Sequence, residues 1–573
     1  MLINPSMLAV SMLDVTGRSQ RGRTCEYKRG DITVKTPLIL GSDDGPMSIE
    51  RTADGRVLNV MGVRIAIDGK FLIPASSGQR ADIECRDGVC IVRAPIPEDM
   101  AIPDEAEIVV VPNAFELRNN VRRLVEAAIA LREAAGHSRL VCMLGIAEPS
   151  TIALLTYMGV DIFDDSLVRA AGHSRIALIP EGEVHVKDDV SKENRSELVN
   201  ECEKISKFIY AGRLRELVDQ RVSSSPTSVA MLRIFDDVGY GYQEEVCSTV
   251  GCRFSCNTTQ SLRRPDLRAY RDKIRERYVK PEHKRVLLLL PCSAKKPYHI
   301  SKSHKAFASA IHSGPHETLV HEVIVTSPLG IVPRELDVFY PANSYDIPVT
   351  GEWKCQEREM IRSMVSDILA QGYDKVVCHL GKDADLVNDL ADMEETVVGD
   401  PTTPVSLSNL DEALRAATKD MEPLDYMIER RESMRSLLSF QFGKDAADVM
   451  MKDSYAIGKF PYWKLMWENP EKRTEKVQLG MLTPERGMLS LTIEGAEVLA
   501  AEGHPTVEMT DFELKGNLFA VGVVDSDPGI RIGDEAIVTL NGKVVGVGVA
   551  MMSGREMKET KRGIAVKIRH KSK

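Results

Sequence analysis

The sequence predicts a multidomain α/β protein, on three observations. Short apolar runs alternate with helix-like segments from Thr33 to Val160, the alternation resumes near His283, and the stretch from Leu518 to Ala550 is rich in strands. At 573 residues the chain has room for about three or four domains. Hydrophobic residues at 43% and charged residues at 28% match a soluble globular chain and exclude wholesale disorder. The longest apolar stretches, such as Val286 to Leu290 or the uncharged run from Pro149 to Val160, are too short to span a bilayer. Met1 to Val15 carries Asn4, Pro5 and Asp14 with no basic flank, so no secretory signal is expected. Eleven scattered cysteines form no dense framework, which points to a reducing cytoplasm.

The elements follow in order. Glu107 to Val111 reads as a strand and Asn120 to Ala135 as a helix with apolar residues at helical spacing. Leu140 to Leu144 reads as the next strand, followed by Pro149 and the helix Ile152 to Met158. This is a parallel α/β unit, either barrel or open sheet. Residues 181–230 are polar and mostly helical, ending in the linker-like Ser223-Ser224-Ser225-Pro226. In the second unit Val286 to Leu290 is a buried strand that runs into Pro291-Cys292-Ser293. Glu322 to Thr326 ends at Ser327-Pro328-Leu329-Gly330, Met360 to Ala370 is a helix, and Lys375 to His379 is a third strand. Ligands of open parallel sheets bind at the carboxyl ends of strands, so these loops are where chemistry is expected. Beyond a helical connector, residues 429–505 mix a helix (Arg431 to Phe440) with strands. Leu518 to Val524, Glu535 to Leu540 and Lys543 to Ala550 are strands, the last two joined by Asn541-Gly542, a tight-hairpin dipeptide.

Net charge is −10, yet its distribution is uneven. Residues 262–285 hold ten Lys/Arg against four Asp/Glu, and 554–573 hold eight against two. Each cluster is read either as a solvated face or as contact with a polyanion.

Gly522-Val523-Val524, Ile530-Arg531-Ile532-Gly533-Asp534-Glu535, Val545-Gly546-Val547-Gly548 and Lys561-Arg562-Gly563-Ile564-Ala565-Val566 together resemble a PUA domain, over about 507–573. That resemblance implies a small β-barrel binding structured RNA, with Arg562, Lys567 and Arg569 as RNA contacts. A rigid basic barrel suits a partner read by shape and backbone.

The stretch Pro291-Cys292-Ser293-Ala294-Lys295-Lys296-Pro297-Tyr298, with Ser301-Lys302-Ser303-His304, packs a thiol, hydroxyls, amines and an imidazole behind a buried strand. A cysteine beside lysines is a candidate nucleophile, because neighbouring positive charge favours its thiolate. With Ser327-Pro328-Leu329-Gly330, Val332-Pro333-Arg334-Glu335 and the run from Tyr340 to Trp353, this motif closely resembles the core of the archaeosine synthase family, over about 262–381. The resemblance implies a tRNA substrate carrying 7-cyano-7-deazaguanine in its D-loop and addition of free lysine, through its side-chain amine, to the nitrile. A radical-SAM partner enzyme then completes the product. On this reading Cys292, Ser293, Lys295, Lys296 and His304 are the catalytic candidates. Tyr298, Ser301, Ser303, Ser327, Arg334, Glu335, Tyr345 and Asp346 are the substrate-binding candidates. Cys292 either adds first to give a thioimidate or only shapes the pocket. Lys295 or Lys296 protonates nitrogen or orients a phosphate, Glu335 or Asp346 holds the amino acid's ammonium, and Arg334 holds its carboxylate.

Leu144-Gly145, Pro149 and Gly159-Val160-Asp161-Ile162-Phe163-Asp164 resemble tRNA-guanine transglycosylases, over roughly 30–260. This implies a TIM-barrel-like N-terminal domain with Asp164 at the position of that family's nucleophile. Two departures make Asp164 a relic on this reading. The Asp-Ser-Gly-type element is replaced by Val111-Pro112-Asn113-Ala114-Phe115, and Cys247, Cys252 and Cys256 do not have the family's zinc spacing. No cofactor is expected, those three cysteines being the one set considered for a structural zinc. His304, His312, His316 and His321 lie at intervals of eight, four and five, which place no three on one helix face. The expected domains are 1–262 (transglycosylase-like, degenerate), 263–425 (central catalytic α/β sheet), 426–506 (small α+β) and 507–573 (PUA β-barrel). The alternatives are an active transglycosylase or a non-catalytic tRNA-binding scaffold. A homodimer follows by family analogy, with no membrane association and a cytoplasmic location.

Overall fold

The computed structural model describes residues 11–42, 45–53, 55–71, 83–96, 100–472 and 474–572. The first ten residues of the stretch in which no signal was expected lie outside these. Packing divides the chain into two compact units. One comprises residues up to Cys247 with Phe519–Val521 and Arg555–Ile564, and the other Ser248–Leu518 with Gly522–Gly554 and the residues from Ala565. No helix among the described residues is long and apolar enough to cross a membrane.

The first unit is built on a six-stranded sheet in the order 38–40, 162–164, 140–143, 108–111, 89–92, 83–86. Its first five strands are parallel and the last is antiparallel. Alternate residues supply two cores. Val109, Val111, Val141, Met143 and Phe163 pack against the helices, among them Val121–Ala135 and Ser191–Tyr210. Ile108, Val110, Leu140, Cys142 and Ile162 face the other way, onto residues such as Tyr27, Ile49, Leu58 and Ile67. Those residues come from two three-stranded antiparallel meanders, over 11–36 and 47–68. The expected closed barrel is therefore not what the described residues form. The face that a barrel turns in upon itself is covered by the meanders, and the sheet stays open at 38–40 and 83–86. Cys85 and Cys90 are directly opposed across the 83–92 hairpin and form a disulfide, which the scattered cysteine count did not suggest.

The second unit holds the sheet that carries the reactive loops. Its strands are labelled in chain order: β1 Val286–Pro291, β2 Val320–Thr326, β3 Gly330–Pro333, β4 Lys375–Cys378 and β5 Glu394–Glu395. They lie side by side as β3-β2-β1-β4-β5, with β3 alone antiparallel. Helix α1 (Lys302–Ile311) joins β1 to β2, and α2 (Cys355–Leu369) precedes β4. α1 starts where Ser301 caps its first turn by accepting from the His304 amide. Strand order thus reverses at β1, with β2 on one side and β4 on the other. That is a topological switch point, where the loops leaving neighbouring strands diverge and open a crevice at the carboxyl end. Val286 to Leu290 are wholly buried on both faces, as a central parallel strand requires.

A four-stranded antiparallel sheet over 454–491 follows, packed with helices Tyr426–Phe442, Lys444–Met451 and Ile493–Ala500. The C-terminal sheet has six strands. Its hairpin turns at Asn541 and Gly542, both at positive φ as the dipeptide led us to expect. The single strand expected over 518–524 is instead two short strands separated by a 3₁₀ turn.

Leu288 is fully buried in the middle of β1, so Leu288→Ala is expected to cost about 2–5 kcal/mol. Urea unfolding followed by tryptophan fluorescence measures it, and a cost under about 0.5 kcal/mol contradicts the burial.

Candidate active site

β1 delivers its last residues to the switch point, where a cavity of about 280 Å³ opens. This lies close to the lower end of ligand cavities, roughly 300 Å³, and suits one heterocycle better than a whole nucleotide. Cys292 and Ser327 line it, from the loops after β1 and β2, together with Cys256, Thr258, Trp353 and Asp383. Residues 347–354 pass over it, Val349 being 79% exposed.

Beneath the thiol is a buried set of hydroxyls. Tyr345 Oη lies 2.5 Å from Thr326 Oγ1, Tyr298 Oη donates to Thr326 Oγ1 at 3.3 Å, and the two tyrosine hydroxyls touch each other. Tyr298, Thr326 and Tyr345 are almost completely buried, so they satisfy one another rather than reach a ligand. Ser327 differs. Its side chain is buried, yet its hydroxyl has no hydrogen-bond partner among the described residues and borders the cavity. An orphaned hydroxyl in a cavity wall is the kind of group that a polar ligand edge satisfies.

Burial pushes the Cys292 thiol above its ordinary value; the Thr326 hydroxyl and the Lys296 ammonium pull it back, and Asp383 pushes it further up. The outcome differs from the thiolate expected of a cysteine among lysines, because desolvation outweighs the neighbouring charge. Lys296 is half-buried, with Nζ 4.1 Å from the centre of the Tyr345 ring, and burial lowers its pKa. Lys295 is exposed, and Ser293 folds the loop by hydrogen-bonding the Lys295 amide and carbonyl at 3.2 Å. Of the two lysines the structure brings Lys296 to the thiol. Asp346 is tied to Arg253 at 2.7 Å, and Ser303 lies against Ser301 at 3.3 Å.

Three of the expected residues face elsewhere. His304, Arg334 and Glu335 line a second cavity, of about 550 Å³. β3 runs antiparallel to β2 with Pro333 opposite Val323, so Arg334 and Glu335 emerge toward the opposite end of the sheet from Cys292. Arg334 pairs with Glu322 and Asp337, at 2.7 and 3.1 Å, and donates to His304 Nδ1 at 2.9 Å. Glu335 accepts from Tyr278 at 2.6 Å. His304 is pushed down to about 3 by burial and then by the Arg334 guanidinium, so it is neutral near pH 7. His312 and His321 line the same cavity, a convergence hidden by their positions on different elements. His321 is held by Tyr278 and Tyr373, and His312 by Glu317.

In the first unit a cavity of about 1030 Å³ lies at the carboxyl ends of the parallel strands, beside Phe115, Gly145 and Ser166. Asp164 is wholly buried; it accepts from the Gly145 amide at 2.6 Å and pairs with Arg56 at 3.5 Å, while burial raises its carboxyl. It serves the wall of that site and presents no exposed nucleophile. Cys247 is buried in the first unit, and Cys252 and Cys256 belong to the second. The described residues hold one group whose ligand atoms converge, the exposed Glu282 and His283 with the buried Glu432.

The RNA contacts expected from the tail are corrected in part. Arg569 is committed to the buried Glu535 and to the Leu491 carbonyl at 2.9 Å. Arg562 pairs with Asp14 at 3.2 Å, and Lys567 is exposed. The basic run 262–285 is likewise tied down, with Arg264 on Asp266, Arg275 on Asp367, Lys284 on Glu429 and Arg285 on Asp374.

Residues 267–414, which span this sheet and its reactive loops, match a family described as a domain of unknown function (DUF5591), and 507–571 match the PUA domain. The chain is 33% identical to the archaeosine synthase subunit alpha of Thermoplasma acidophilum, over 81% of this chain and 88% of that protein. It is also 33% identical to the protein of the same name from Methanosarcina acetivorans, over 82% and 80%. The chain belongs to the archaeosine synthase family. A more distant likeness, 24% identity over 74% of this chain and 66% of the other, is to the tRNA-guanine(15) transglycosylase of Methanobrevibacter smithii. Asp383 is one of several residues of this family member's cavity, with Thr258, Glu357 and Lys382, that sequence reasoning passed over. Its signal was available, since Gly381-Lys382-Asp383 directly follows β4.

Alkylation of Cys292 by iodoacetamide is expected to rise with pH with an inflection above about 8.5, the value of a free thiol. Lys296→Met removes a cation that stabilises the thiolate, so the inflection moves further up; a downward move contradicts the geometry.

Proposed function

We propose that the protein adds lysine, through its side-chain amine, to the nitrile of 7-cyano-7-deazaguanine in the D-loop of a tRNA. Membership of the archaeosine synthase family supports a tRNA-modifying transferase of archaeosine biosynthesis, and the PUA domain supports RNA binding. The observation that carries the finer reading is the cavity after β1, a space of heterocycle size lined by Cys292 and by Ser327 with its orphaned hydroxyl, with the Lys296 amine acting on the thiol.

The chemistry fits groups held in their neutral forms. A nitrile carbon accepts a nucleophile while its nitrogen gains negative charge that must be met by a proton. A thiol that keeps its proton can add across the triple bond. Sulfur bonds to carbon, one π bond shifts to nitrogen, and the proton follows through Lys296 to give a thioimidate. The lysine amine then bonds to the same carbon, the carbon–sulfur bond breaks, and the thiol is restored with an amidine as product. On this reading Ser327 hydrogen-bonds the heterocycle's edge and Lys567 meets phosphate. The amidine then awaits a radical-SAM partner.

Incubating the protein with lysine and nitrile-bearing tRNA is expected to yield a nucleoside heavier by the whole mass of lysine, since addition expels no leaving group. Incorporation of free labelled base with no such gain overturns the reading in favour of base exchange. Without lysine, a Cys292-dependent protein–tRNA adduct is expected; Cys292→Ala with near-normal turnover eliminates the covalent route. Ser327→Ala is expected to raise KM for the tRNA about 5- to 100-fold, the cost of one hydrogen bond to a buried polar group.

A further inference from the structure

We infer that Asp383 is the general base of the lysine step, taking a proton from the side-chain ammonium of the incoming amino acid as that amine attacks the thioimidate and returning it to the departing sulfur. The inference rests on the proposed lysine addition.

Three features of its placement carry it. β4 pairs with β1 in parallel, with Cys378 opposite Leu289, so the loops that leave the two strands rise at the same end of the sheet. Asp383 stands in the 3₁₀ turn Gly381–Leu386 directly after β4 and lines the cavity with Cys292. Its Oδ1 accepts from the Trp353 indole Nε1 at 2.8 Å, which fixes the plane of the carboxylate and leaves Oδ2 available. No cation among the described residues forms an ion pair with it.

Of the other acids nearby, Glu357, Asp346 and Glu335 are engaged elsewhere. Glu357 caps α2 by accepting from the Lys354 amide at 3.0 Å, and Glu352 is exposed. Asp346 is tied to Arg253, and Glu335 faces the other cavity. Asp383 is close enough for its charge to raise the Cys292 thiol, so it sits within electrostatic reach of the reacting carbon.

The reaction needs such a group. At pH 7 only about one lysine side chain in a few thousand is unprotonated, and the ammonium has no lone pair with which to attack. The ammonium's proton passes to Asp383, and the freed lone pair forms the carbon–nitrogen bond. The sulfur takes up the proton as the carbon–sulfur bond breaks, and Asp383 returns to its charged form. No proton is gained or lost overall, since ammonium plus nitrile equals amidinium.

Asp383→Asn keeps the acceptor for Trp353 and removes the base. In the full-length protein, the rate of lysine addition in a single turnover is expected to fall about 10²- to 10⁴-fold. Binding of nitrile-bearing tRNA should stay within about threefold. The residual rate should then climb about tenfold per pH unit above neutrality, as free amine replaces the missing base. Removing the negative charge should also shift Cys292 alkylation to lower pH. Turnover within about threefold of wild type overturns the inference, as does a parallel loss of tRNA binding, which marks Asp383 as a structural prop. Trp353→Phe, which frees the carboxylate without removing it, should lower the rate by about tenfold; an unchanged rate overturns the orienting role. A wild-type protein that forms no lysine adduct at all removes the lysine reading itself, an outcome distinct from these.

Discussion

A strand paired on both edges and buried on both faces leaves the chain only one place to put chemistry, its end. β1 is such a strand. Its five residues from Val286 to Leu290 offer no surface, and β2 and β4 occupy both of its hydrogen-bonding edges. The loop leaving β1 runs toward β2 while the loop leaving β4 runs toward β5, on the other side, so the loops at the carboxyl end cannot close over one another. The crevice that results needs no distortion of the sheet. Behind its wall lie the buried Tyr298, Thr326 and Tyr345, whose hydroxyls meet one another's needs at a depth where an unmatched one is costly.

The same burial sets the protonation of the groups at the crevice. Desolvation raises a thiol and lowers an ammonium, so Cys292 and Lys296 are moved in opposite directions by one cause. Both movements favour neutral forms. An ion pair of thiolate and ammonium would suit attack on a strongly polarised acyl carbon. A nitrile asks for a nucleophile and a proton in the same place, and a cavity that keeps its groups neutral supplies both. Asp383 adds negative charge to this setting and strengthens the same tendency at the thiol.

The central sheet was legible because its strands are long, apolar and end in recognisable loops. Val286 to Leu290 and Lys375 to His379 can be read by composition alone, and the rule that ligands sit at carboxyl ends then points to Cys292 and Ser327. The first ninety residues were not legible in this way. The strands among their described residues lie in hairpins that mix polar and apolar residues, such as Gly22–Arg29 and Gly55–Val60, and the spacing of their apolar residues resembles an alternation of strand and helix. The open sheet follows from those hairpins, which cover the face that a barrel would enclose. Charge counts misled for a related reason. A run of ten basic residues looks free in sequence, yet Arg264, Arg275, Lys284 and Arg285 each find an acid that is distant or adjacent in the chain.

Strand direction explains which polar residues of the reactive loops touch the cavity and which support it. Cys292, Ser327 and Asp383 each follow a parallel strand, so all three arrive at one end of the sheet. Arg334 and Glu335 follow β3, the one antiparallel strand, and are carried back toward the starts of the others. There Arg334 bridges Glu322, Asp337 and His304, fixing α1 against the edge of the sheet, and α1 in turn holds the loop from Cys292 to Ser301 at its amino end. A short motif can therefore contain residues of two kinds that no spacing rule separates. For Arg334 and Glu335 the sense of the preceding strand does so, and a single reversal at β3 is enough to turn a candidate ligand into a brace.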